Sequence, residues 1–330
     1  MDEIIHVREL SKNFRVMERQ PGWKGAFQNL FNPQYRQIQA VRSVSFGLKE
    51  GEMVGYLGPN GAGKSTTLKV LTGLLVPTSG EVLVDGRIPW KDRTVYVSRI
   101  GAVFGQRTTL WWDLPVIDSL EVMQAMYRIP PERFRSNLRQ FSQLLQLHEF
   151  INTPVRSLSL GQRMRADLCA ALLHEPKLVF LDEPTIGLDV VAKERIREFI
   201  LYINQQRGTT IILTTHDLSD VEKLCERVMI LDKGQLLYDG SLESLTARFE
   251  GERMLMVVFA EEYADIEVDG ARLLEKNGRE ALYAFNWRNL SSSELLGRLL
   301  GKFKVADLEV RRPELEQTIR RIYEEELLLR

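Results

Sequence analysis

The residues best placed to do chemistry stand in one run, Gly58-Pro59-Asn60-Gly61-Ala62-Gly63-Lys64-Ser65-Thr66, with the spacing G-x-x-x-x-G-K-[ST]. Glycines at these places let backbone N–H groups close around phosphate oxygens, and a helix opening there adds partial positive charge at its N-terminus. Residues 52–57 read as a strand and the residues after the run as a helix, which is the context such a loop needs. The pattern predicts binding of a nucleoside triphosphate, with Lys64 reaching the β- and γ-phosphates and the Ser65 hydroxyl on Mg²⁺. The plain alternative, a fortuitous glycine turn, is disfavoured by that context.

A second candidate lies far along the chain, where Leu178-Val179-Phe180-Leu181 runs into Asp182-Glu183. Four apolar residues without alternation suit a parallel strand covered on both faces. Carboxylates at the C-terminal end of such a strand fall where open α/β sheets build their sites. Asp182 could then hold Mg²⁺ through water while Glu183, pointing to the opposite face, polarises an attacking water. An acidic pair ending a strand at the surface is the plainer reading.

The elements that must position these residues alternate along the chain. Strands are expected at 4–10 and 41–48, over the runs EVLVDG and RIGAVF, and at 178–181, 209–214 and 227–232. Helices are expected across roughly 116–147, 190–206 and 218–225. This predicts an α/β fold with a mainly parallel sheet. The second region, 251–330, carries the strand-like runs MLMVVFA, ALYAFN and KVADLEV and helical patterns near 291–300 and 313–326, enough for a small α+β unit. Between them the first domain spans 1–250. It contains an aromatic insertion at about 16–38, where Trp23, Phe27, Phe31 and Tyr35 recur every four residues as on a helix stripe. Asn32-Pro33 should break that helix before Tyr35. The insertion reads either as a surface for membranes or partners or as rings packed on their own domain.

Composition sets the outer bounds. A chain of 330 residues with 44 Lys and Arg against 45 Asp and Glu has a net charge of −1 and no global attraction to nucleic acid. No apolar run approaches the roughly 18 residues of a spanning helix. Cys169 and Cys225 lack the spacing of a metal knuckle or redox pair and read as small buried residues.

Further along, Leu158-Ser159-Leu160-Gly161-Gln162 resembles the signature motif of ABC-type ATPases. Gln106, Gly187-Leu188-Asp189 and His216 match the same family's pattern in family order, over residues 4–245. The resemblance implies a P-loop ATPase domain with a mainly parallel core sheet, an antiparallel β subdomain and a helical subdomain at about 110–170. It implies two such domains paired head to tail around two ATP molecules with Mg²⁺. Ser159, the Gly161 N–H and Gln162 of one copy would complete the γ-phosphate site of the other. Gln106 would sense Mg²⁺ and the water, His216 would contact the γ-phosphate, and Asp189 would cross the dimer interface. Glu183, His216, Gln106 and Lys64 are thus the expected catalytic set, and Ser65, Gln106 and Asp182 the expected metal set.

Two residues depart from the family pattern. Leu160 stands where glycine is usual, and the place of the adenine-stacking tyrosine falls to Phe14, which offers a ring face or serves plain core packing. The stretches GAVFGQRTTLWWDLPVIDSL and TPVRSLSLGQRMRADL, with the appended C-terminal unit, resemble ATPase subunits of drug-, sodium- and polysaccharide-efflux exporters. That implies separate membrane permease subunits, a groove near Gln106 that receives a short helix of the permease with Trp111, Trp112 and Leu114 close to the contact, and a position on the cytoplasmic face of a bacterial membrane; a core role for both tryptophans is the plain alternative. A soluble ABC ATPase acting on ribosomes or DNA, and a P-loop kinase, are the competing readings. Neither the paired domains and coiled coil of the former nor a use for the signature in the latter is found in the sequence.

Overall fold

The computed structural model describes residues 3–17, 35–105, 107–247 and 252–311, together with Leu315 and Ile319. The chain divides into two compact units, Met1–Ser241 and Leu242–Arg330, so the helix Leu242–Ala247, read with the first domain, falls in the second unit.

Among the described residues of the first unit there are nine strands: β1 (Glu3–Met17), β2 (Tyr35–Lys49), β3 (Met53–Leu57), β4 (Ser79–Val84), β5 (Ile100–Phe104), β6 (Leu178–Asp182), β7 (Thr210–Thr214), β8 (Arg227–Asp232) and β9 (Gln235–Ser241). The first, second and fourth make an antiparallel sheet ordered β2-β1-β4. The others make a six-stranded sheet ordered β5-β6-β7-β3-β8-β9, parallel except where β9 turns back along β8. Every residue of β3 and β7 is buried, as a parallel strand covered on both faces requires, which explains their unbroken apolar runs. A single core joins the two sheets: Ile5, Leu10, Val44 and Phe46 from the antiparallel sheet meet Val54, Tyr56 and Phe180 from the parallel one.

Helices Val116–Tyr127, Pro131–Leu144 and Leu160–Leu172 form the helical portion. Pro131 opens the second of these, where its fixed φ suits the first helical position and its missing N–H costs nothing. Phe141 buries its ring edge-on against Phe199 of helix Val190–Arg207, with centroids 5.2 Å apart.

The second unit holds β10 (Glu252–Phe259), β11 (Ala271–Asn277), β12 (Glu280–Asn286) and β13 (Val305–Arg311) in an antiparallel sheet ordered β11-β12-β10-β13. Leu255, Val257, Tyr283 and Phe285 on one face pack with Leu295 and Leu299 of helix Ser292–Lys302. Ser291 caps that helix by accepting from the Glu294 N–H at 3.2 Å.

Among the elements that sequence reading missed are β9, β11 and the short helix Arg93–Val97. Nearly every β11 residue is exposed, so the alternation that marks a strand is absent from ARLLEKN. At the two ends of the stretch read as an insertion, residues 16–17 and 35–38 are strand. Val16 pairs with Arg36 and Met17 with Tyr35. Trp23, Phe27 and Phe31 lie outside the described residues, as does most of the helix expected at 313–326.

Candidate nucleotide site

Register brings the site together. Phe104 lies opposite Asp182, Asp182 opposite Thr214, and Thr214 opposite Tyr56, so the C-terminal ends of β5, β6, β7 and β3 finish side by side. Loops leaving that edge are where open α/β sheets bind ligands. Residues 58–63 leave β3 there and feed the helix Lys64–Leu71, which starts at Gly63 with no side chain capping it. Its first N–H groups therefore face outward as donors. Gly63 has φ +105°, and a Cβ on it would stand 2.4 Å from the Ala40 carbonyl oxygen. At Gly58 the added atom would meet the Leu231 oxygen at 2.5 Å. Only glycine fits either place.

Lys64 folds back over this loop, its Nζ donating to the carbonyls of Gly58 at 2.5 Å and Pro59 at 3.1 Å. Burial pulls its ammonium below the ordinary range, while the carboxylates of Glu183 and Asp182 pull it back up. A cation held among carbonyls at a helix N-terminus is poised for an anion.

Asp182 Oδ1 accepts from the Ser65 hydroxyl at 3.2 Å and from the Thr214 hydroxyl at 2.6 Å. Glu183 leaves the strand with φ +54°, a backbone conformation rare outside glycine. Its N–H donates to the Thr214 carbonyl at 3.0 Å, and its Oε1 lies 3.4 Å from His216 Nδ1. Asp182 thus meets Ser65 and Glu183 meets His216, with Glu183 just past the strand end and both residues lining the same cavity. This cavity, of about 360 Å³, is lined by Ser65, Lys69, Gly105, Arg107, Asp182 and Glu183. Serine hydroxyl and carboxylate oxygens suit a hard cation such as Mg²⁺, which binds through few protein ligands and leaves the rest to phosphate and water.

The remaining expected residues stand elsewhere. Gln106 lies outside the described residues, between Gly105 and Arg107 of the cavity wall. Ser159 caps helix Leu160–Leu172 through a reciprocal pair: its Oγ accepts from the Gln162 N–H at 3.2 Å, and its own N–H donates to Gln162 Oε1 at 2.9 Å. Gly161 faces Leu188 and Ala192, so this helix start packs on the segment following Asp182-Glu183 rather than lining the cavity. Asp189 caps helix Val190–Arg207 by accepting from the Ala192 N–H at 2.9 Å. Phe14 is half-buried on β1, with Lys12 Nζ 5.2 Å from its ring centroid. Trp112 is half exposed, and Trp111 and Leu114 are exposed beside it. Both cysteines are free and buried; burial pushes the Cys225 thiol up to about 12 and Cys169 higher still.

Two parts of the site were not legible in the sequence. Thr214 joins Asp182 to the Glu183 backbone, a role that appears only once β6 and β7 are in register. Fully buried Asp220 gathers Thr185 at 2.5 Å, Thr215 at 3.2 Å and Arg197 Nε at 2.6 Å. It ties the segment after Glu183 to the one before His216. The threonines there read as ordinary strand-end residues, with no spacing to mark them.

A family model described as ABC transporter matches residues 41–186. The ABC transporter ATP-binding protein NatA of Bacillus subtilis is 33% identical over 223 residues, covering 68% of this chain and 89% of that protein. The Nod factor export ATP-binding protein I of Neorhizobium galegae is 36% identical over 64% of this chain and 60% of its own length. Among solved structures, the dimeric post-hydrolysis state of the ATP-binding cassette MJ0796 with ADP and Pi superposes with a TM-score of 0.60 at 27% identity. It covers 72% of this chain and 98% of that one.

Proposed function

The chain belongs to the ATP-binding proteins of ABC transporters, and on that premise we propose that it drives export through separate membrane permease subunits by forming an ATP sandwich with a second copy of itself. One observation carries the reading. The cavity is lined by Ser65, Asp182 and Glu183, whereas Ser159, Gly161 and Gln162 begin a helix outside its lining. A second copy brought head to tail supplies what the first lacks. Of the signature donors, the Leu160 and Gly161 N–H groups, the Ser159 hydroxyl proton and the Gln162 amide NH₂ are not used by the capping pair.

Within one site, the 58–66 backbone and Lys64 bind the phosphates, and Phe14 stacks the adenine. Ser65, Asp182 and Gln106 are the residues that would hold Mg²⁺, which when bound neutralises charge on the β- and γ-phosphates. Glu183 orients the attacking water and takes its proton; His216, 3.4 Å away, holds the γ-phosphate side of the same pair. Hydrolysis removes the group that bridges the two copies, and the sandwich opens. Trp111, Trp112 and Leu114 offer an apolar patch for a helix of the permease. The second unit, residues 242–330, acts as a dimer-stabilising accessory. No helix of the described residues is long and apolar enough to cross a membrane, so transport requires partners, at the cytoplasmic face. Export is the direction suggested by relatives named for Nod factor export and linearmycin resistance.

Affinity purification of Glu183→Gln with ATP and Mg²⁺ from gently solubilised membranes tests this. Recovery of one or two stoichiometric multi-span proteins is expected. Recovery of ribosomes, DNA-bound proteins or a lone soluble dimer would overturn the transporter reading.

A further inference from the structure

One of the segments that run from the cavity toward helix Leu160–Leu172 is residues 107–114, the other being the one that follows Glu183. Gly105 and Arg107 line the cavity, and the Gly105 N–H donates to the Asp182 carbonyl at 2.8 Å. The next residues lie along the helix. Asp167, only 5% exposed, accepts three hydrogen bonds at one oxygen: from the Thr108 hydroxyl at 2.9 Å, the Thr109 N–H at 2.9 Å and the Thr109 hydroxyl at 3.1 Å. One turn nearer the helix start, the Arg163 guanidinium lies over the Trp112 ring, 5.7 Å from its centroid. Positions 163 and 167 share a helix face, so the stretch is held at two points as it travels toward Ser159. It then reaches the lead-in to the signature. The Val155 N–H donates to the Leu114 carbonyl at 3.0 Å, the Arg156 N–H donates to the Trp112 carbonyl at 2.9 Å, and Arg156 pairs with Asp113 at 2.9 Å.

The Arg156 pair is exposed and worth little. The Asp167 cluster is not. A buried carboxylate costs several kcal/mol unless its lone pairs are met, and here the donors that meet them all come from Thr108 and Thr109. A small apolar residue would fill this helix position without that cost, so packing alone does not account for the aspartate.

The geometry points to Asp167 as a positioning residue that clamps the 108–112 stretch to the signature helix, so that Trp111 and Trp112, the cavity wall and the Ser159–Gly161 helix start move as one body. It touches neither nucleotide nor reacting atoms. It acts by holding the signature where the second copy's γ-phosphate will find it, and this inference rests on the sandwich reading above. Freed from Asp167, the stretch keeps its own attachments at Gly105 and Leu114 but loses its fixed place along the helix.

The test uses the full chain carrying Glu183→Gln, which stalls hydrolysis. ATP-driven dimerisation with Mg²⁺ is followed by size exclusion with light scattering, and ATP binding to the monomer is followed at concentrations too low for pairing. Adding Asp167→Ala should raise the ATP concentration needed for dimerisation by roughly tenfold, the equivalent of about one lost hydrogen-bonded contact to a charge. Monomer binding should stay within about twofold. Adding Asp167→Asn instead, which keeps an acceptor oxygen in place, should restore dimerisation. The inference is overturned if Asp167→Ala dimerises like its parent, if monomer ATP binding falls in step with dimerisation, or if Asp167→Asn fails as completely as alanine. Should the alanine variant not fold, Thr108→Val with Thr109→Val removes two of the donors from the other side and is judged by the same outcomes. A Glu183→Gln parent that never dimerises with ATP condemns the sandwich itself, and the inference with it.

Discussion

Two helices in this chain begin at positions where phosphate chemistry is expected, and they begin in opposite ways. Helix Lys64–Leu71 starts at a left-handed glycine, with no side chain capping it and a buried lysine folded back onto the Gly58 and Pro59 carbonyls. Helix Leu160–Leu172 starts with a closed Ser159–Gln162 capping pair that meets its own donors in part. The first terminus is unfinished until an anion arrives; the second stands by itself and has donors to spare. A site assembled from both would bind nucleotide through the first and use the second only as the complex closes. The contrast teaches that one motif is built to need a ligand and the other to wait for one.

The sharpest way to break the contrast is at Lys64. Lys64→Ala should lower turnover by on the order of 100-fold or more and erase the rise in melting temperature that ATP gives, while leaving the nucleotide-free chain as stable as before. A drop in nucleotide-free stability instead would show that the lysine serves the fold. Glu183→Gln separates binding from hydrolysis within the same end of the sheet. Phosphate release should fall by about 10² to 10⁴, the range of a lost general base, with ATP affinity retained in a nucleotide titration. At the other terminus the order inverts. Ser159→Ala should cost about 1 kcal/mol in urea unfolding without nucleotide, as for a lost N-cap, and leave monomer ATP affinity unchanged. If affinity moved and stability did not, the two termini would be alike after all.

The smallest effect lies just beyond the far end of the signature helix. His174 stacks on Tyr127 at 4.0 Å and bonds through Nε2 to the Ile100 carbonyl at 3.0 Å. Burial drops its imidazole to about 4, against an ordinary value of 6.5, and the Ile100 contact offsets only part of that. A depressed value of this kind stabilises the fold above pH 6.5, and that stabilisation is lost as pH falls through 4. Melting temperature should therefore decline over this window, and less steeply in His174→Phe, which keeps the stacked ring but cannot take up the proton.

What the sequence disclosed follows from whether a role is local. Phosphate binding by 58–66 needs consecutive residues, and Asp182-Glu183 needs only a strand end, so both were readable as spacing. The α/β order was readable because buried parallel strands such as β3 and β7 have unbroken apolar runs. Thr214, Asp220 and Asp167 were not readable, because each matters only through a neighbour tens of residues away: Asp182, Thr185 and Thr108. β11 was missed for the opposite reason, since exposure on nearly every residue erased its pattern. Tyr35 had the spacing of a helix stripe but stands in β2.

The carbonyls of Ala40 and Leu231 press against Gly63 and Gly58 from behind the loop. A descendant of this chain that had stopped hydrolysing ATP would still be unable to replace either glycine, because the interior would reject the side chain before any phosphate did. Gly61 has nothing within 4 Å of the place its Cβ would take, so its left-handed φ of +83° is the one restraint from the fold, a conformation asparagine can share. In a lineage released from catalysis, drift should reach it earlier than its neighbours. The two braced glycines therefore testify to ancestry, and the unbraced one to whether the nucleotide is still in use.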